Sequence, residues 1–128
     1  MLDLGAFALI RTYSPANRDE SRDDFRQSFV RVLLERCRNL IQMGRRVVLT
    51  GDLNIARDEI DSAHAKEAMK QQGLSDFKNT PIRQMFHQFL EPHPEGVMVD
   101  LCRKFFPERR GMYTCECALQ AVIFGWAI

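Results

Sequence analysis

Hydrophobic positions follow two different periods in the first fifty residues. Short apolar runs at 5–13 and 46–50 are typical of buried strands. Between them, apolar side chains recur about every four positions, which predicts a long amphipathic helix. Its buried stripe consists of Phe25, Phe29, Val30, Leu33, Leu34, Cys37, Leu40 and Ile41. The order strand, helix, strand predicts the crossover unit of an α/β fold, although it does not fix whether the two strands are parallel.

Polar residues and a glycine mark the ends of these elements. Pro15 and Asn17 predict a turn after the first strand. Gly44 stands where a helix-ending glycine belongs. Acidic side chains crowd the predicted start of the helix, where the helix dipole favours negative charge: Asp19, Glu20, Asp23 and Asp24.

The rest of the chain predicts shorter elements. Residues 62–73 predict a polar helix, and residues 97–107 predict another short one. Residues 80–92 begin with a Thr-Pro pair and continue with apolar side chains at helical spacing: Ile82, Met85, Phe86 and Phe89. A strand is expected to start near 111–115. Residues 116–128 are almost free of charge, and a buried final strand and foreign sequence remain alternatives for them.

Composition narrows the class of protein. The 128 residues suffice for one ordinary domain, and 45% of them are hydrophobic, close to the globular average. A formal net charge of +1 gives no general case for nucleic-acid binding, although it leaves room for a local basic patch. No apolar run approaches the roughly 20 residues of a membrane span. We therefore expect no membrane association, and the first residues do not resemble a signal peptide.

The four cysteines favour reduced thiols in an intracellular protein. Cys37 and Cys102 lie within apolar patterns and are interpreted as small buried hydrophobes. Cys115 and Cys117 are separated by one residue, which is tighter than the usual spacing of a zinc-ligand pair. Neither a zinc site nor a disulfide framework is favoured.

Asp52 and Asn54 are the strongest candidates for chemistry because they follow a buried strand directly. Open α/β sheets bind ligands at the carboxyl ends of their strands. A carboxylate can orient or deprotonate a water, and an Asn amide can donate a hydrogen bond to a phosphate oxygen. In an extended segment the two side chains would point to the same side. The alternative, a turn stabilised by these side chains, has equal weight.

Tyr13 ends the first predicted strand and is the second candidate. If the two strands are parallel, Tyr13 and Asp52 share one edge of the sheet, and the phenol can donate to a phosphate. The alternative is a half-buried structural tyrosine.

Other polar residues favour structural roles. Asp61 is expected to hold the loop by accepting backbone N–H bonds, while Asp58 and Glu59 are expected to be solvated. The three histidines have no adjacent nucleophile, so a hydrolase triad is not supported: His64, His87 and His93. Two basic clusters are either solvated or contact phosphate: Arg45 and Arg46, and Arg103, Lys104, Arg109 and Arg110.

Four segments together resemble one known family. "GDLNIARDEID" at 51–61 resembles the G-D-x-N-x-A-x-x-x-I-D signature of the exonuclease III family of AP endonucleases. "TYSPANRDE" at 12–20 is similar to its Y-x-P segment, in the form typical of the second eukaryotic AP endonuclease branch. "VDLCRKFFP" at 99–107 resembles its D-x-[FY]-R segment, and "GMYTC" at 111–115 the start of its T-[FC]-W motif. Their order and spacing agree, so the resemblance covers about residues 6 to 115.

The resemblance implies a fold and an activity. The fold would be part of a four-layer α/β sandwich of the endonuclease/exonuclease/phosphatase type. The activity would be Mg²⁺-dependent hydrolysis of DNA on the 5′ side of abasic sites in the nucleus, with Mn²⁺ as a possible substitute, and with 3′-5′ exonuclease or 3′-phosphodiesterase activity beside it. Tyr13 would lie near the phosphate, Asp52 would activate the water, and Asn54 would stabilise the transition state. Asp52 and Asn54 would also contact a metal ion.

Departures from the family pattern define the expected domain organisation. The family's early Asn and metal-binding Glu, and its closing Asp-His pair, have no counterpart here. Glu116 stands where the family has Trp, and no match follows it. We therefore expect a partial domain at 1–115, inactive by itself, and a divergent tail at 116–128. The main alternative is a non-catalytic scaffold that binds nucleic acid or protein, and another phosphodiesterase of the same superfamily is a weaker one.

Overall fold

A four-stranded sheet forms the centre of the computed structural model, which describes residues 1–16, 20–111 and 121–125. The strands are β1 (Leu2–Asp3), β2 (Ala8–Tyr13), β3 (Val47–Asp52) and β4 (Ala121–Gly125), and they lie side by side in that order. β2 and β3 are parallel, whereas β1 and β4 pair antiparallel with their neighbours. The sequence alone leaves the direction of β2 and β3 open, and their parallel pairing completes the crossover unit.

The crossover is made by α1 (Asp23–Gln42), which follows a short 3₁₀ turn at Glu20–Arg22. Its buried side chains fall on the predicted stripe: Val30, Leu33, Leu34, Cys37 and Leu40. Phe29 and Ile41 are partly buried beside them. The prediction was wrong for Phe25, which is 62% exposed because it lies in the first turn, before the helix meets the core. Gly44 follows the helix with φ +76°, a conformation that glycine adopts at little cost.

Three further α-helices follow β3 within the described residues: α2 (Ala65–Gln72), α3 (Pro81–Phe89) and α4 (Leu101–Phe105). Pro81 occupies the first helical position of α3 as predicted. Thr80 stands at the N-cap position, but its side chain makes no capping hydrogen bond. The Asp100 side chain does cap α4 by accepting the N–H of Arg103 at 3.0 Å. None of the helices in the described ranges is long and apolar enough to cross a membrane.

The hydrophobic core lies between one face of the sheet and the helices α1 and α3. It joins strand residues to helix residues in one cluster, with Ala8, Ile10, Val47 and Leu49 from β2 and β3, and Ile82, Phe86 and Phe89 from α3. Cys37 is fully buried in this cluster, and burial raises the pKa of its thiol to about 11. Cys37 is therefore the small buried hydrophobe that the sequence predicts. Cys102, in contrast, is exposed, because α4 buries none of its residues, so that part of the prediction was wrong.

The predicted strand near 111–115 and most of the tail lie outside the described residues. Within the tail, Ala121–Gly125 forms β4 and pairs with β3 from Val47 to Gly51. A final strand is thus present, and the proposed boundary at residue 115 stays a prediction.

Candidate active site at the ends of two parallel strands

Tyr13 and Asp52 are neighbours across the parallel pair, at the last paired position of the two strands. Strands in a sheet lie about 4.8 Å apart. Arg11 is opposite Thr50 two residues earlier, so these four side chains belong to the same face of the sheet. Tyr13 is 69% exposed and Asp52 is also exposed. A groove of about 350 Å³ is lined by Arg11, Thr12, Tyr13, Gly51 and Asp52. The structure therefore brings Tyr13 and Asp52 to one open cleft.

Gly51 is required where β3 passes close to β2. Its φ is +124°, and an added Cβ would lie 1.9 Å from the backbone oxygen of Thr12. Any other residue would push the two strands apart directly beside Tyr13 and Asp52. The glycine before the carboxylate is therefore explained by close backbone approach.

The backbone turns at Asn54, which keeps this residue at the same edge of the sheet as Asp52. The prediction of an extended segment from Asp52 to Asn54 was wrong, because Asn54 is left-handed, with φ +50°. The Asp52 Oδ1 atom accepts the Asn54 backbone N–H at 2.9 Å, which is the side-chain-stabilised turn weighed as the alternative. The turn and the site are therefore compatible, since the same two residues form both.

The Asn54 side chain joins the two loops of the site. Its Nδ2 donates to the backbone oxygen of Ser14 at 2.7 Å, across 40 residues of chain. Ser14 is 1% exposed, and its N–H donates to the backbone oxygen of Asp52 at 2.7 Å. Sequence reasoning missed Ser14, since a serine beside a turn proline carries no signal of a buried role.

The loop after Asn54 is held by an ion-pair cluster. Asp58 contacts Arg57 at 2.8 Å and Lys78 at 3.1 Å, and Arg57 also reaches Asp100 at 3.3 Å. Burial raises the pKa of Asp58, but hydrogen bonds from Arg57 and Lys78 outweigh that effect and hold the pKa below its usual range. The prediction that Asp58 is solvated was therefore wrong, because residues from distant elements surround it.

His87 lies at the edge of this cluster. Its Nε2 atom is 3.4 Å from Asp58 Oδ1, without a hydrogen bond to any described group. Burial lowers the pKa of His87, and the nearby Asp58 carboxylate opposes that shift. His87 is therefore interpreted as a partly buried structural residue of α3.

Asp61 has the structural role that the sequence predicts. Its carboxylate accepts the Asp58 backbone N–H at 3.1 Å, closing a short 3₁₀ turn at Glu59–Asp61. It also binds Arg103, whose Nε donates at 2.8 Å. This ion pair connects two of the motifs singled out in the sequence, 51–61 and 99–107. It also removes Arg103 from the predicted basic cluster, since its side chain is 10% exposed.

In the part of the chain that the structure describes, two side chains of the site are candidate metal ligands, Asp52 and Asn54. Among residues 1–16, 20–111 and 121–125, no three His, Cys, Asp or Glu side chains converge on a point that could hold a metal ion. Asp52 and Asn54 offer a carboxylate and an amide oxygen, the donor types that Mg²⁺ prefers. The type of donor fits the ion, although the number does not fill its six positions.

The chain is similar to known proteins over most of its length. The chain is 35% identical over 116 residues to DNA-(apurinic or apyrimidinic site) endonuclease 2 of Schizosaccharomyces pombe, covering 90% of this chain and 22% of that protein. It is 32% identical to the Saccharomyces cerevisiae protein of the same name, covering 83% of this chain and 26% of that protein. An exodeoxyribonuclease of Bacillus subtilis is 33% identical, covering 83% and 39%. No family model matches the chain.

The chain is therefore homologous to AP endonuclease 2 over most of its length. It spans about a quarter of the length of the AP endonuclease 2 relatives it matches.

The fold is confirmed by a solved structure. The crystal structure of the Xenopus laevis APE2 catalytic domain matches with a TM-score of 0.72 at 23% identity, covering 91% of this chain and 40% of that one. The chain is thus part of a four-layer α/β sandwich of the endonuclease/exonuclease/phosphatase type, as the resemblance implied.

Proposed function

We propose that this chain supplies part of the active site of a DNA repair nuclease. The reaction is Mg²⁺-dependent hydrolysis of the phosphodiester 5′ to an abasic site, with possible 3′-5′ exonuclease or 3′-phosphodiesterase activity at the same site. The substrate is DNA that contains abasic sites, and the place of action is the nucleus. The main support is one observation: Tyr13 and Asp52 are paired at the ends of two parallel strands, with Asn54 tied into the same edge.

Asp52 is the proposed group that orients and deprotonates the attacking water. Its Oδ1 accepts the Asn54 N–H, which fixes the carboxylate and leaves Oδ2 for the water. A carboxylate held by a backbone donor keeps its orientation without a large entropic cost during the reaction. The exposed position of Asp52 gives water and a phosphate access to it.

Tyr13 and Asn54 are the proposed donors to the phosphate. The Tyr13 phenol is exposed beside Asp52 and can donate to a phosphate oxygen. One N–H of the Asn54 amide is used on Ser14, and the other remains for the substrate. Asn54 thus combines a positioning role with a proposed binding role.

Mg²⁺, or Mn²⁺ in its place, would be held by the Asp52 carboxylate and the Asn54 amide oxygen. When bound, the ion would supply charge neutralisation at the phosphate oxygens. The rest of its oxygen ligands must come from outside these two side chains, since Mg²⁺ demands near-octahedral coordination.

A non-catalytic scaffold that binds nucleic acid or protein is the second candidate. The observation in its favour is that no three His, Cys, Asp or Glu side chains among the described residues converge to hold a metal ion. A complete active site of this chemistry clamps the phosphate from several sides.

A chimera distinguishes the two functions. Residues 6–111 replace the matching segment of the Schizosaccharomyces pombe AP endonuclease 2, and cleavage of a synthetic abasic duplex is measured with Mg²⁺. We expect multiple turnover, and an Asp52→Ala version should lose at least about 100-fold in kcat. Asp24→Ala on the exposed surface of α1 is the matched control and should retain the rate.

The outcome that contradicts the nuclease proposal is equally clear. A folded chimera that binds the duplex without cutting it, or that cuts equally well with Asp52→Ala, favours the scaffold. The chain of 128 residues by itself should show no efficient turnover on the same duplex, because two ligand side chains cannot hold the ion and the phosphate rigidly.

A further inference from the structure

Arg26 lies beneath the two loops of the candidate site and contacts both. Its side chain, on the first turn of α1, is 11% exposed. The Nε atom donates to the backbone oxygen of Pro15 at 3.1 Å, and Nη2 donates to the backbone oxygen of Asn54 at 3.3 Å. The Nη1 atom is 3.5 Å from Asp23 Oδ1, which supplies a counter-charge. One guanidinium therefore satisfies acceptors from segments that are distant in sequence.

These contacts are placed where they determine the geometry of the site. Pro15 follows Tyr13 by two residues, and Asn54 follows Asp52 by two residues. The donors of a guanidinium stand in a rigid plane at fixed angles, so the side chain fixes the separation of the two carbonyl groups that it binds. The hydrogen bond from Asn54 to Ser14 therefore joins the same two loops that Arg26 bridges.

Arg83 supports the same loop from α3. Its Nε donates to the backbone oxygen of Ala56 at 3.0 Å, its Nη1 donates to that of Phe77 at 2.8 Å, and its guanidinium stacks on the Phe77 ring at 3.6 Å. Burial lowers the pKa of Arg83, and the charge of Arg26 lowers it further. Two like charges near each other below one short loop are electrostatically unfavourable. The hydrogen bonds that Arg26 and Arg83 donate to loop carbonyl groups explain why both arginines are present despite this repulsion.

We propose that Arg26 is a positioning residue, which holds the Tyr13 loop and the Asp52–Asn54 turn at the spacing that a phosphate requires. Arg83 anchors the far end of the same loop and does not contact the Tyr13 side. We call the bridge that Arg26 makes between Pro15 and Asn54 the clamp. The benefit of the clamp to catalysis rests on the proposed function, whereas the clamp itself rests on the contacts above.

The test uses the full chain and compares Arg26→Lys with Arg31→Lys. Lysine keeps the positive charge, but a single ammonium cannot bind both carbonyl groups with the guanidinium geometry. Arg31 is exposed on the same helix and is the matched control. Two NMR observations are made below the unfolding transition: backbone hydrogen exchange, and the resonances of the Asn54 side-chain amide and the Tyr13 ring.

Arg26→Lys should accelerate exchange at the Ser14 and Asn54 N–H groups by about tenfold or more, with no change at Leu49 in the core strand. The Asn54 amide and Tyr13 ring resonances should shift, while Arg31→Lys leaves all of them in place. A merely structural role predicts a lower Tm with equal acceleration at every site, and that result would overturn the proposal. Unchanged exchange at Ser14 and Asn54 would overturn it as well.

Two further variants keep the result interpretable. If Arg26→Lys does not fold, Asp23→Asn weakens the same side chain through its counter-charge and should move the same resonances by a smaller amount. No movement there would count against the clamp. Arg83→Lys should accelerate backbone hydrogen exchange around Ala56 and Phe77 and leave the Ser14 N–H protected. Because the readout does not use cleavage, local opening in Arg26→Lys together with a folded chimera that does not cut abasic DNA would support the clamp and reject the nuclease function.

Discussion

The two faces of the β2–β3 pair carry opposite kinds of side chain. On the face covered by helices, Thr12 at the end of β2 is half-buried, and four side chains of the pair are at most 7% exposed: Ala8, Ile10, Val47 and Leu49. On the other face, exposure grows toward the carboxyl ends, where the exposed residues are polar: Leu9, Val48 and Thr50 are half-buried, and Arg11, Tyr13 and Asp52 are exposed.

One face of these strands therefore contributes to the stability of the fold, and the other face contributes to the candidate site. Successive residues of a strand point to opposite faces, so one six-residue segment can contribute to the core and to a site at once. Parallel pairing then brings Tyr13 and Asp52 together without any contribution from the core side. We expect substitutions on the covered face to change the free energy of unfolding, and substitutions on the other face to change binding and catalysis.

Leu49→Ala should show the largest loss of stability. Leu49 is fully buried, and truncation of a buried leucine costs about 2–5 kcal/mol. Val48→Ala, one residue earlier on the half-buried face, is the control and should cost less, about 0.5–1.5 kcal/mol. Urea denaturation of both variants measures the difference, and equal losses would contradict the contrast between the faces.

Gly51→Ala should lower stability by about 1–3 kcal/mol, the cost of holding a non-glycine residue in a strained conformation, and more if the strands must separate. This change affects both faces, because it moves β3 away from β2 beside the site. Thermal unfolding gives the magnitude. Gly44→Ala is a useful comparison, since φ is also positive there and an added Cβ meets nothing within 4 Å. If both variants lose the same stability, the close approach to Thr12 is unimportant.

Mild acidification should lower the free energy of unfolding through His87, a polar residue of α3 beside the covered face of the sheet. Burial lowers the pKa of His87, so the unfolded chain binds more protons between the folded pKa and about 6.5. Stability therefore falls as the pH drops through this window. Asp58, Lys78 and Arg57 face His87, and the stabilisation from Asp58 is lost only below about pH 4, because its pKa is lowered.

His87→Gln should flatten the dependence of Tm on pH between about 7 and 5, the range in which an ordinary histidine titrates. His64→Gln, at an exposed position, is the matched control and should leave the slope unchanged. A slope that His87→Gln does not alter would assign the acid sensitivity to other groups.

Asp52→Ala should have the smallest effect on stability of these changes, about 1 kcal/mol or less, because the exposed carboxylate packs little apolar surface. It loses one hydrogen bond, from the Asn54 N–H. Equilibrium unfolding in urea gives the value. A loss as large as that of Leu49→Ala would mean that Asp52 is a structural residue, and would remove the separation between the two faces.

The sequence by itself determined α1, β2 and β3 and the identity of the candidate residues. The four-residue period predicts α1, and the short apolar runs predict β2 and β3, because amphipathic patterns depend on neighbours within a turn or two. Gly44 and Pro81 mark helix ends for equally local reasons. The polar residues after each strand identify Tyr13, Asp52 and Asn54 as the candidates for chemistry, a role that stays a prediction.

The tertiary structure decided which residues meet. Parallel pairing places Tyr13 beside Asp52, the left-handed turn directs Asn54 to Ser14, and Arg26 bridges both loops. The contact of Arg26 with Pro15 spans 11 residues of chain and the other contacts span 28 to 40, so no local period records them. The same holds for Asp58, which looks solvated in the sequence and is enclosed in the fold. Local periodicity fixes where helices and strands form, whereas contacts between distant polar groups arise only after the core has brought the elements together.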